Sequence, residues 1–475
     1  MTEDLAKQEA PARLLTPAML GIASGSVLVP LNSTMLAVAL PSVMDTFGVD
    51  AVTVSTLVTV YLAAVSIALP ASGSLGDRFG HRRTFLIGVV GFATASVLAA
   101  TAGSFAILAA ARVLQAVSGA LVSTSSTALI AAEAPPDRRG AAFGVFDLVT
   151  SSSAIAAPLI GGVLVSSFGW RGLFVLAVPV AAVALATVGW LAVPRRIDRR
   201  AVPPRTIDIP GLVLLALTLI AALYAIRSPF DGGLGTVAAL AVVPLAVAFV
   251  AVELRRDDPA VDPRLLTSRS FAAALAGVFG ITVVLHATFI VVPLLVERLH
   301  GGSPIEGGLA LLSVSALWGL VAPIGGRLSD RIGRRRPAVV GGLVTAVALT
   351  ILWQVAPGAS TLVLAALLSV VGLGMGLGGS ARQTAAIETV APERVGMAAG
   401  TYYTGRYLGG VVGASLAGAI LGASVTADGV MTVFGVTTIA AVGVTIASLG
   451  LPGRNRSVAA GGQPLTATGA RRLPG

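Results

Sequence analysis

The sequence predicts an all-α membrane protein of about fourteen spanning helices, two six-helix bundles with two helices inserted between them, and three observations carry that prediction. The first is composition. Of the 475 residues 55% are hydrophobic and 11% charged, with a mean hydropathy of +0.90, and a water-soluble core of that size needs far more polar surface. The second is a succession of apolar runs from Pro17 to Leu449, each of about 20 residues and so long enough to cross about 30 Å of hydrocarbon as helix. The third is a duplication: GSLGDRFGHRR, Gly73 to Arg83, returns as GRLSDRIGRRR, Gly326 to Arg336. Each copy is a short basic turn between two apolar runs. Two halves built on one plan let a site between them face each side of a membrane in turn, which is the usual reason for internal repeats in transporters.

Taken in order, residues 1–16 form a polar N-terminal tail without the apolar core and small-residue cleavage site of a secretory signal. The first bundle occupies 17–193, with spans near 17–43, 52–74, 84–101, 105–131, 140–165 and 171–193. Gly, Pro, Asp or paired Arg mark the stops, as expected where apolar helices end. Residues 194–270 hold the basic loop PRRIDRRAVPPRTID, two further apolar runs at 208–227 and 232–253, and the charged segment RRDDPAVDPRLLTSRS. An even number of inserted helices preserves the orientation of the second half. That half occupies 271–450, with spans near 271–297, 305–326, 337–355, 361–386, 396–422 and 431–450. Residues 451–475, rich in Gly, Ala, Arg and Pro, have the composition of a disordered tail.

The net charge of +10 follows topology. If the chain starts inside and alternates, most of its 32 Lys and Arg fall on the cytoplasmic side, including Arg195, Arg196, Arg199, Arg200 and Arg205 in one loop. The outer loops hold only Arg171, Arg227 and Arg298. This obeys the positive-inside rule, places both termini in the cytoplasm, and removes nucleic-acid binding as a reading of the basicity. The absence of cysteine excludes disulfides, thiolate metal sites and cysteine nucleophiles. No G-x-x-x-x-G-K-[ST] loop is present, so ATP is not the direct energy source and an ion gradient is the expected driver. Without an embedded His/carboxylate cluster or activated serine, the chain reads as no enzyme and calls for no cofactor or metal.

Several embedded polar residues are candidates for function. Asp77 and Asp330 sit at helix ends in the duplicated turn, with Gly73, Gly80, Arg82 and Gly333 around them. A carboxylate there accepts hydrogen bonds from arginine or from the amides of a neighbouring helix start, and so serves as a latch; setting topology alone is the plainer role. Arg112 lies seven residues inside the fourth span, about 10 Å deep. A guanidinium at that depth needs a polar cavity or a partner, and Gln115 is one turn away on the same face. In the fifth span Pro158, Gly161 and Gly162 permit a bend and close helix approach. Arg406 lies near the middle of a later span beside Tyr402, Tyr403 and Tyr407, a setting that either binds an anionic or aromatic ligand or braces the bundle. Trp318 and His286 point to a cavity more weakly.

These residues and their order resemble the major facilitator superfamily, and within it the fourteen-helix drug:proton antiporter branch. Besides the paired turn, the resemblance rests on LNSTMLAVALP (31–41), ARVLQAVSGA (111–120), APLIGG (157–162), WRGLFVLAVP (170–179) and IDIPGLVLLAL (207–217), and it covers about residues 17–450. It implies a major-facilitator fold in a bacterial inner membrane. It also implies export of small hydrophobic or amphipathic organic compounds by alternating access, antiport against protons, lipid surroundings and a monomer. Arg112 takes a role in proton or substrate coupling by the same resemblance. The chain departs from the pattern where Ala157 replaces the first glycine of the fifth-helix motif and, above all, in the first helix. There Asn32 stands where an aspartate is expected, and Ala37 where an asparagine is expected. Asn32 cannot titrate, so the proton carrier must lie elsewhere or be lacking. Asp147, about 10 Å inside the fifth helix, is the substitute best placed, since burial there raises a carboxyl's affinity for its proton. Glu297, Glu306 and Glu388 lie nearer the boundaries. An uncoupled facilitator or metabolite or lipid carrier, and a membrane sensor that moves no solute, stand as alternatives.

Overall fold

Hydrocarbon offers no hydrogen-bond partners, so an apolar chain of this length must satisfy its backbone within helices. The computed structural model describes residues 17–133, 139–192, 208–227, 233–256, 259, 261–388, 390, 395–422 and 424–453. Its long helices are α1 (Pro17–Phe47), α2 (Ala51–Phe79), α3 (His81–Ala100), α4 (Phe105–Glu133), α5 (Arg139–Phe168), α6 (Arg171–Ala186) and α7 (Ile209–Arg227). There follow α8 (Leu234–Glu253), α9 (Arg269–Leu294), α10 (Pro304–Ile332), α11 (Arg335–Val355), α12 (Thr361–Ile387), α13 (Val395–Leu421) and α14 (Ala427–Ser448). Among the described residues, 13 of these helices are long and apolar enough to cross a membrane. The exception is α13, where Arg406 and three tyrosines lower the hydropathy.

Local chemistry sets the helix starts and stops. Asp50 accepts the amide of Thr53 at 2.8 Å to open α2, Ser303 and Glu306 close a reciprocal capping box on α10, and Ser268, Ser360 and Thr426 cap α9, α12 and α14. Each cap satisfies amides that have no partner within the helix. Glu306 is thereby a structural cap. Gly80 and Gly333, which end α2 and α10 in the two copies of the turn, have φ of 92° and 87°, a region open to glycine and strained for other residues.

The duplication in sequence is a duplication in packing. In the first half α1 packs on α5 and α6, α2 on α4, and α3 on α4 and α6. The second half repeats every pair, α9 on α13 and α14, α10 on α12, and α11 on α12 and α14. The halves meet along two seams, α2 against α13 and α5 against α10. The inserted α7 and α8 pack on each other, and α7 also touches both α2 and α13. Leu234, Val237, Leu240, Val243 and Val247 of α8 are exposed, as suits a helix that faces lipid.

The seam between α5 and α10 depends on missing side chains. A Cβ on Gly162 would lie 2.7 Å from the carbonyl oxygen of Pro304, and one on Gly308 would lie 2.5 Å from that of Pro158. Gly161 similarly faces the backbone of Met35 on α1. Backbones this close gain dispersion energy that lipid cannot match, which is why small residues mark helix contacts in membranes. The clashing atoms at Gly308 are backbone, so relief requires the helices to part. We predict that Gly308→Ala costs about 1–3 kcal/mol, seen as a lower melting temperature of the detergent-purified protein; an unchanged melting temperature would show that the seam is slack.

Candidate functional site

The two turns lie at one end of the bundle, and their shared residues make matching contacts inside their own halves. His81 Nε2 approaches Asp77 Oδ1 at 3.2 Å, and Arg334 Nη1 approaches Asp330 Oδ1 at 2.5 Å. His81 and Arg334 occupy equivalent places in the repeat. The second half goes further: Arg334 also donates to both carboxylate oxygens of Glu388, at 2.6 and 3.2 Å, and to Ser329 Oγ at 2.9 Å. The bond to Glu388 comes first among the interactions that raise the Arg334 guanidinium above its ordinary value. Glu133, which ends α4 as Glu388 ends α12, is partly buried, and that burial raises its carboxyl.

A second equivalence was not foreseen from sequence. Arg82 Nη2 donates to the carbonyls of Gly189 and Val188 at 2.9 and 3.3 Å, in the π turn (Thr187–Ala192) that extends α6. Arg335, its counterpart, donates from Nε to the carbonyl of Leu451 at 2.9 Å, just beyond α14. Each turn thus ties its arginine to the end of the last helix in its own half. Cations at helix C-termini meet unpaired carbonyls and the negative end of the helix dipole. A Cβ at Gly73 would meet nothing within 4 Å, so the space around that position does not require glycine.

Contacts between the halves gather toward the opposite end. Arg298, beyond α9, donates to Asp45 Oδ1 at 2.5 Å and to the carbonyl of Pro41 at 2.9 Å, both on α1. Ser415 of α13 donates to Thr59 of α2 at 3.4 Å. Gly162 and Gly308 also lie toward this end. Glu297, next to Arg298, falls in the short π turn Leu295–Leu299.

Within the bundle, Arg112, Asn32 and Gln115 form one cluster. Nη1 of Arg112 donates to Asn32 Oδ1 and, at 2.9 Å, to Gln115 Oε1. Gln115 Nε2 in turn donates to Ser96 Oγ of α3 at 2.8 Å. The guanidinium sits 4.1 Å from the centre of the Tyr61 ring of α2. All are buried, Arg112 being 1% exposed. Burying an ion costs several kcal/mol; charge-assisted hydrogen bonds return about 1.5–3 kcal/mol each, and a desolvated cation–π contact about 2 kcal/mol. The cluster therefore holds Arg112 in place without a carboxylate. Where an aspartate at position 32 would neutralise this charge, Asn32 only solvates it.

Arg406, 11 residues into α13, is part-exposed and lies 5.8 Å from the Trp318 ring of α10. The backbones of α10 and α13 pack on other helices rather than on each other, so this contact reaches across the interior. Tyr403, 36% exposed, accepts a hydrogen bond from Gln383 at 3.1 Å. Tyr402 stands edge-on to it, with ring centres 6.1 Å apart. His286 Nδ1 donates to the carbonyl of Thr282 at 3.0 Å, a local helix contact. The backbone of Asp147 belongs to α5, while its side chain lies outside the described residues.

Sequence reasoning passed over Arg382. This arginine of α12 is 1% exposed, and none of its three nitrogens finds a hydrogen-bond partner among the described residues. Its side chain fits a slot left by two glycines, since a Cβ would stand 2.5 Å from its Cδ at Gly277 and 2.5 Å from its Nη1 at Gly378. The cost of several kcal/mol for burial meets no hydrogen bond in return. Its position five residues from a helix end gave it the look of an ordinary boundary arginine; the paired glycines 277 and 378 were the available signal.

The chain's relatives agree with this architecture. The Major Facilitator Superfamily profile matches residues 22–413 and 271–472. A tetracenomycin C resistance and export protein of Streptomyces glaucescens is 31% identical over 420 residues, 86% of this chain and 76% of that protein. A multidrug resistance protein B homolog of Mycobacterium tuberculosis is 30% identical over 404 residues, 83% of this chain and 74% of that protein. Among solved structures, a bacterial homolog of the human lysosomal transporter Spinster, in an inward-facing and unoccupied conformation, shares the fold with a TM-score of 0.69 at 17% identity, covering 93% of this chain and 98% of that one. A peptide transporter in complex with alafosfalin gives a TM-score of 0.68 at 15% identity, covering 91% and 93%. With repeated six-helix halves, a duplicated turn and a matching profile over most of its length, the chain belongs to the Major Facilitator Superfamily of membrane transporters.

Proposed function

We propose that the protein exports small hydrophobic or amphipathic organic compounds from a bacterial cell across its inner membrane by alternating access, as a monomer, in antiport against protons. The observation that supports this most is the polar and aromatic cluster inside a mainly apolar bundle, at the meeting of the halves, in a chain about 30% identical to resistance and export proteins. With the turns on the cytoplasmic side, the halves are pinned at their outer end by Arg298 and Asp45. In the opposite state the turns close. Asp77→Asn should leave the protein in the membrane and cut export at least about tenfold, since a latch carboxylate is worth roughly 1.4 kcal/mol or more; near-normal export at normal expression would reduce the turn to a topology signal.

A second reading, transport without proton coupling, is favoured by the neutral Asn32 on Arg112. The two readings part over Asp147, which has the sequence position of a proton carrier. Under antiport, Asp147→Asn eliminates uphill uptake driven by a pH gradient in proteoliposomes and leaves downhill exchange measurable. Uphill transport that persists in this variant places the carrier elsewhere, and an unmutated protein indifferent to the gradient supports the facilitator.

Arg112 is required under both readings. Arg112→Ala removes the donor to Asn32 and Gln115 and should abolish transport. Arg112→Lys should recover only part of it, because a point charge cannot reproduce the planar fork or its stacking on Tyr61. Full activity of the alanine variant would show the cluster to be dispensable.

A further inference from the structure

Among the described side chains, charge inside the bundle is one-sided. Arg382, Arg406 and Arg112 lie progressively farther from the end that carries the turns, at about 8, 16 and 31 Å along their helices. Phenols stand between them. Tyr402 is in electrostatic reach of both Arg382 and Arg406, Tyr407 of Arg406, and Tyr61 of both Tyr407 and Arg112. The series begins in one half and ends in the other. Among the acids whose side chains are described none balances it: Asp45, Asp50, Asp77, Glu133, Asp330 and Glu388 lie in the terminal turns of their helices or beyond them, while the side chain of Asp147, eight residues into α5, lies outside the described residues. The neutral Asn32 removes the counter-charge that would pair with Arg112.

Of the three, Arg406 is the one open to solvent. It makes no side-chain hydrogen bond among the described residues and presents its guanidinium beside the Trp318 indole. Tyr403 and Gln383, both exposed, add a phenol and an amide. A cationic guest would meet three fixed like charges in a low dielectric, where repulsion is weakly screened. A neutral guest would leave those charges unbalanced. An anion with a flat aromatic body satisfies both features, its charge on Arg406 and its ring against Trp318 and the tyrosines.

We propose that the transported compounds are aromatic organic anions, with Arg406 as the residue that takes their negative charge and Trp318 as the surface on which their ring stacks. This rests on the exporter reading for the word transported, and on the geometry alone for the word anion. It carries a consequence for energetics. An anion leaving a cell and a proton entering it move charge in the same electrical direction, so an inside-negative potential drives export under either coupling scheme. A potential of 100 mV alone sustains about a 50-fold gradient of a monovalent anion.

The test uses three compounds of one shape: naphthalene-1-sulfonate, its neutral sulfonamide, and 1-naphthyltrimethylammonium. With the purified full-length protein in detergent, the sulfonate should bind at least tenfold more tightly than either analogue. Arg406→Gln should remove that preference, and Arg406→Lys should keep part of it. Should the glutamine variant fail to fold, the selectivity of the unmutated protein still decides the matter. Equal or tighter binding of the neutral or cationic compound, binding of none of the three, or an intact preference in folded Arg406→Gln overturns the proposal. In proteoliposomes a valinomycin-imposed potential should drive the sulfonate toward the positive side. Selective sulfonate binding without any flux leaves the anion site standing and overturns the exporter reading instead.

Discussion

Lipid can neither hydrogen-bond a peptide group nor drive two apolar helices together, and both facts shape this molecule. The first forces the chain into helices long enough to cross the bilayer. The second means that the helices must be held by contact, because a leucine gains no burial by leaving lipid for protein. Many of the 56 glycines therefore serve as a structural material. Where Gly162 meets Pro304 and Gly308 meets Pro158, two helices touch backbone to backbone, and farther along the same pair the Ile155 side chain lies against Gly319.

The same solvent makes each buried charge conspicuous. Arg82 and Arg335 are expended on helix ends, each satisfying carbonyls that would otherwise lack partners. Arg112 is surrounded by an amide, a second amide and a phenol ring. These neutral groups stabilise the ion by hydrogen bonding and polarisation while leaving its charge visible to anything that enters. Arg382 finds no hydrogen-bond partner at all among the described residues. The described side chains thus give the bundle interior a positive potential that the carboxylates at the helix ends are too remote and too solvated to cancel.

How much of this was legible in the sequence follows from the range of each interaction. Helix positions, the inserted hairpin and the repeated turn depend on local composition and could be read directly. The pairing of Arg112 with Gln115 follows from a three-residue spacing on one helix. The contact of Arg112 with Asn32, 80 residues earlier, and the docking of Arg82 on Gly189, 107 residues away, were suggested by nothing in the sequence. Arg382 was missed because its slot is formed partly by Gly277 of another helix, which no pattern within α12 reveals. Conversely, Glu306, a boundary acid and a weaker candidate for the proton carrier by sequence, is engaged as the reciprocal cap on Ser303.

The inserted hairpin acquires a mechanical meaning from its position. Because α7 touches α2 in one half and α13 in the other, any rocking of the halves must drag it along one of them. Its buried residues are aliphatic, Leu215, Leu219 and Ala221 among them, and Thr218 turns its hydroxyl back to its own helix at Leu214. Sliding such a surface breaks no hydrogen bond and exchanges one set of dispersion contacts for another of nearly equal energy. The extra helices therefore offer the seam between α2 and α13 an aliphatic face along which a helix can slide without breaking a hydrogen bond.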